Sequence, residues 1–120
     1  MKKKTEDSEL QALAEIQDAI DLIKGKWTGS VIYHLRGQPV GFNDLVRMLQ
    51  GASRNIIAQR LKTLEENNFV IRQLISERPL EVTYQLSEKG KRVLALYDEL
   101  KQLVEGAQGE LSREPLARKR

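Results

Sequence analysis

The stretch GASRNIIAQRLKTLEENN, residues 51–68, and the two runs that follow it constrain the fold more than anything else in the chain. At about 100° per residue, Ile57, Leu61 and Leu64 gather on one side of a helix. Ser53 stands where an N-cap belongs, and Asn68 can take the left-handed conformation that closes a helix. Directly after it, FVIRQLIS and EVTYQL are rich in β-branched and aromatic residues and flank ERPLE, in which Pro79 marks a turn. An amphipathic helix that runs straight into a hairpin leaves few architectures open.

The segments on either side narrow the choice. Leu10, Leu13, Ile16, Ile20 and Ile23 recur at helical spacing between a capping Ser8 and Gly25. Trp27, Val31 and Leu35 define a second helix that Gly37 and Pro39 end. PVGF reads as a short extended piece, and NDLVRMLQG as a third helix capped by Asn43, with Leu45, Met48 and Leu49 inward. Ser87 caps a last helix bearing Val93, Leu96, Tyr97, Leu100, Leu103 and Val104. The expected fold class is α+β, mostly α: a helix-turn-helix followed by a hairpin wing, inside additional terminal helices. Residues 8–105 form this one domain, after a disordered N-terminus (1–7) and before a basic flexible tail (106–120).

Composition excludes more than it selects. The chain has 120 residues and is 40% hydrophobic, enough for one modest core. Lys and Arg number 20 against 17 Asp and Glu, so the net charge of +3 permits nucleic-acid binding without arguing for it. The absence of cysteine removes disulfides, thiolate zinc sites and thiol nucleophiles. No apolar run approaches the roughly 18 residues that span a bilayer, and MKKKTEDSEL has no apolar stretch behind its lysines to make a signal peptide. The expectation is a cytoplasmic protein with no membrane partner.

The polar side of the fourth helix carries the functional suggestion. Opposite the apolar stripe lie Asn55, Gln59 and Lys62, with Ala58 beside them and Arg54 in the first turn. Asn and Gln make paired hydrogen bonds to adenine, Arg and Lys to guanine, and an alanine methyl meets a thymine methyl. Glu65 and Glu66 stand at the far end. The plain alternative is a solvated face, because Arg, Gln and Lys are ordinary helix formers. A short helix before it, and a hairpin after it offering Arg72 and Arg78 to phosphate, favour double-stranded DNA as the partner. The competing class is a winged-helix module whose fourth helix packs on another protein.

DLIKGKWTGSVIYHL, then GFNDLVRMLQGASRNIIAQRLKTLEENNFVIRQ, then VTYQLSEKG, in that order, make the chain similar to the HxlR family of bacterial transcriptional regulators, relatives of the MarR group. The resemblance covers about residues 14–104. It implies a homodimeric winged-helix protein on a near-palindromic operator, with a recognition helix from Ser53 to Asn67 and a wing from Ser76 to Glu81. It also implies self-association through the first and last helices, which points to Leu10, Leu13, Ile16, Leu96, Leu100 and Leu103. The apolar positions of the last helix suit either a dimer seam or an ordinary core. Two departures stand out. Ala14 occupies the position where many members carry a sensing cysteine, and Glu81 the position where the wing often carries a basic residue.

No other residue group carries chemistry. His34 is the sole histidine and has no metal-ligating company; Asp18 and Asp21 fit a solvated face; Ser30 lacks a base. KGKWTG lacks the phosphate-loop pattern, Trp27 suits an interhelical anchor, and Arg60 flanks the apolar stripe. No enzyme activity, cofactor or metal is expected, and a small-molecule effector has no identity that the sequence supplies.

Overall fold

The structure, a computed structural model, describes the backbone of residues 2–111 and the side chains of 6–106. Its elements are α1 (Lys2–Ile23), α2 (Lys26–His34), β1 (Val40–Gly41), α3 (Phe42–Met48), α4 (Arg54–Glu66), β2 (Val70–Glu77), β3 (Leu80–Leu86) and α5 (Glu88–Leu111). The antiparallel sheet has the order β1-β3-β2, with Val40 opposite Tyr84 and Val70 opposite Leu86.

The core forms where α2, α3 and α4 turn their apolar sides together over the base of the hairpin. Ile57, Leu61 and Leu64 of α4 are at most 1% exposed, and Val31, Ile32, Leu45 and Leu49 close around them. Ser53 caps α4 through its Oγ, which accepts from the Ile56 amide at 3.1 Å. Asn68, at φ 65°, ends the helix in the left-handed region and turns the chain into β2. Gly51, at φ 101°, makes the turn between α3 and α4 under the edge of Trp27, so Trp27 is the interhelical anchor that its aromatic character suggested.

The start of α5 is pinned to the α4–β2 junction. The Ser87 hydroxyl donates to the Asn68 carbonyl at 2.6 Å and accepts from the Gly90 amide at 3.0 Å. A Cβ on Gly90 would sit 2.1 Å from the Phe69 carbonyl oxygen, so only glycine allows the helix to come this close. Further along, Val93 enters the core and the Tyr97 hydroxyl donates to the Ile23 carbonyl, tying α5 to the end of α1. Burial pushes the Tyr97 phenol up, which keeps it a proton donor.

Several expectations change. The first helix starts at Lys2, so Ser8 is an interior residue and the stretch 2–7 is helical instead of disordered. Nothing between Lys2 and Asp7 breaks a helix, and a charged run is compatible with one. The last helix continues past 105 to Leu111; the rest of the anticipated tail, 112–120, lies outside the described residues. Gly41, not Asn43, occupies the N-cap of α3, because the β1–β3 pairing extends the chain up to that point. Met48 is 48% exposed: a helix of 7 residues buries one narrow stripe, and Leu45 and Leu49 fill it.

Candidate nucleic-acid interface

Burial of one side of α4 decides what the other side offers. With Ile57, Leu61 and Leu64 inward, Ser53, Arg54, Asn55, Ala58, Gln59 and Lys62 are all exposed. Asn55, Ala58, Gln59 and Lys62 follow the spacing i, i+3, i+4, i+7 and so form one ridge. At 1.5 Å per residue the ridge is about 10 Å long, and a B-form major groove about 12 Å wide admits a helix. Among the described residues no ion pair engages Lys62, and no side-chain hydrogen bond engages Asn55 or Gln59. Arg60 is half-buried at the edge of the apolar stripe. Ser53 has its oxygen committed to the cap, which leaves the hydroxyl proton as its remaining donor.

The hairpin stands beside this ridge and separates its two arginines. Arg72 lies opposite Tyr84 near the base of β2. Arg78 sits in the tight turn, six residues and therefore roughly 20 Å further out. On the way, β2 bulges between Leu74 and Ser76, and Ile75 is left 52% exposed. Along the wing from Tyr84 out to Leu80, between it and the starts of α3 and α4, opens a cleft of about 610 Å³. Its charged lining is Arg47, Arg54 and Arg72 against Asp44 and Glu81.

Within that cleft the arginines differ. Arg47 is paired with Asp44 one helical turn earlier. Arg54 donates from Nη2 to the Asn43 Oδ1 at 2.9 Å, and its guanidinium carbon lies 5.0 Å from the centre of the Phe42 ring. No acid pairs with Arg72 among the described residues. Glu81 faces the same opening and so brings negative charge to the wing's inner side. Asn43 and Arg47 carry no pattern in the sequence that marks them for this cleft, since three separate segments meet there only once folded.

A second surface is apolar. On α1, Leu10, Leu13, Ile16 and Ile20 are 65%, 62%, 55% and 45% exposed; on α5, Leu96, Leu100 and Leu103 are 51%, 56% and 70% exposed. Among the described side chains of α1, only those at its end, Leu22 and Ile23, pack on the core. No helix of the described residues is long and apolar enough to cross a membrane.

A helix-turn-helix with a bare polar ridge on its second helix and a hairpin at its side is the build of a winged-helix, DNA-binding transcriptional regulator. The particular family follows from comparison. A model of the HxlR-like helix-turn-helix family matches residues 22–111, and the chain belongs to that family. It is 34% identical over 86 residues to the HTH-type transcriptional regulator YodB of Bacillus subtilis (strain 168), covering 72% of this chain and 77% of that protein. The structure of diamide-treated YodB from B. subtilis matches with a TM-score of 0.69 at 32% identity, over 77% of this chain and 91% of that one. The redox regulator HypR in its reduced form matches with a TM-score of 0.70 at 25% identity, over 83% of this chain and 99% of that one.

Proposed function

We propose that this DNA-binding regulator works as a homodimer on a near-palindromic operator, with the α4 ridge of each protomer in successive major grooves. The observation that carries the reading is the pair of bare surfaces on one protomer. The ridge of Asn55, Ala58, Gln59 and Lys62 meets bases, and the leucine stripes of α1 and α5 meet the second copy. Among the described residues neither surface has a partner within the protomer. Apolar side chains exposed in a contiguous row favour burial against another chain, and a two-fold dimer imposes its symmetry on the site that it binds.

Within the ridge, Gln59 and Asn55 suit adenine edges, Lys62 suits guanine, and Ala58 suits a thymine methyl. Ser53 serves the cap and the approaching phosphate, and Arg72 and Arg78 of the wing hold the backbone. The compartment is the cytoplasm, where the DNA of a bacterial cell lies. Whatever signal the protein answers does not pass through a thiol of this chain, which contains no cysteine. Selection of duplexes from a random-sequence library by the full chain tests the proposal. The expected product is an inverted repeat with half-site centres about one helical turn apart and two protomers bound per duplex. Recovery of a single unrepeated site with one protomer bound would overturn the dimer reading.

A further inference from the structure

Arg54 is fixed from two sides before any DNA arrives. Asn43 Oδ1 takes one of its terminal N–H groups at 2.9 Å, and the Phe42 ring lies 5.0 Å from its guanidinium carbon. Bidentate recognition of guanine needs a guanidinium edge turned freely toward the groove floor. Here the head group is drawn sideways from α4 toward α3, into the cleft that Arg72 lines from the hairpin. A phosphate demands less of its donors, because its oxygens accept from several directions and the attraction is largely that of charge.

We infer that Asn43 and Phe42 commit Arg54 to the DNA backbone and not to a base: Arg54 and Arg72 form a phosphate seat between α3, α4 and the wing. Asn43 is the positioning residue of that seat. Arg47 contributes less, because Asp44 holds it. The inference rests on the DNA-binding reading and assigns within it which side chains position the protein and which read sequence.

The test is fluorescence anisotropy across a salt series, on a duplex selected by the wild-type chain and on a scrambled duplex. In the proposed dimer each change removes two phosphate contacts per duplex, so Arg54→Ala and Arg72→Ala are each expected to lower the magnitude of the slope of log K against log[salt] by about 1.8, with the preference for the selected duplex kept. Asn43→Ala is expected to weaken binding about threefold in the wild-type background and not at all in the Arg54→Ala background, as coupled residues do. A change of preferred base in Arg54→Ala with the salt slope intact would overturn the seat. So would an equal loss from Asn43→Ala in both backgrounds, which a purely structural Asn43 would give. Absence of any salt-sensitive complex with the wild-type chain would instead defeat DNA binding itself, and the seat with it.

Discussion

Leu100 is the place where the proposed self-association can be measured apart from folding. It is 56% exposed in the protomer, beyond the stretch of α5 that packs on the core through Val93 and Tyr97. Leu100→Ala removes three carbons at about 0.8 kcal/mol each on full burial. Scaled by the exposed fraction that a partner can cover, the loss is about 1.3 kcal/mol per protomer. A two-fold interface counts the change twice, so dimerisation should weaken by about 2.7 kcal/mol, close to a hundredfold in the dissociation constant. Sedimentation equilibrium across a concentration series reads this directly. The unfolding of the monomer at low concentration should move little, because Leu100 contributes little to the protomer's own core. An unchanged dissociation constant would show that the α5 stripe is not the seam. A large loss of monomer stability would show that Leu100 packs within its own chain.

Three further outcomes follow from named contacts. Glu81→Gln should tighten binding to all duplexes alike, since it removes a negative charge from the cleft that Arg54 and Arg72 line; anisotropy showing no gain, or a gain on one sequence only, would contradict that placement. Gln59→Ala should relax selection at one base position by about 1–3 kcal/mol, whereas Arg78→Ala should weaken every sequence equally. A competition assay that found the same pattern for both changes would remove the distinction between ridge and wing tip. Gly90→Ala places a Cβ 2.1 Å from the Phe69 carbonyl oxygen and should cost at least about 1–3 kcal/mol in urea unfolding, so an unaltered midpoint would mean that the α5 start is free to shift.

The parts of this fold that the sequence reveals are those in which one element states its own environment. The stripe of Ile57, Leu61 and Leu64 implies both the buried side of α4 and the bare ridge opposite, because the helical period leaves no other arrangement. Ser53, Asn68 and Ser87 are legible because capping is a local hydrogen-bonding act. What escapes is decided between elements. Asn43 has the chemistry of a cap, yet the pairing of Val40 and Gly41 with β3 gives that position to Gly41 and turns Asn43 toward Arg54. Arg54, placed on the recognition helix by its number, is taken sideways by a residue eleven positions earlier. In the sequence the leucines of α5 suit a core and a seam equally. Only the folded protomer separates Val93, which is buried, from Leu96, Leu100 and Leu103, which are not.

That separation joins assembly to reading. Around α5 the core-packed pair Val93 and Tyr97 lies roughly 70° from the centre of the exposed leucine stripe, so a single helix faces both its own core and, in the proposed dimer, the second copy. Its root cannot slide, because Gly90 lies against the Phe69 backbone and Ser87 is bonded to Asn68, at the point where α4 passes into the wing. The same few residues therefore fix the angle between α4, the wing and the leucine stripe of α5. A dimer built on that angle holds its two ridges at one spacing, and the operator has to match it.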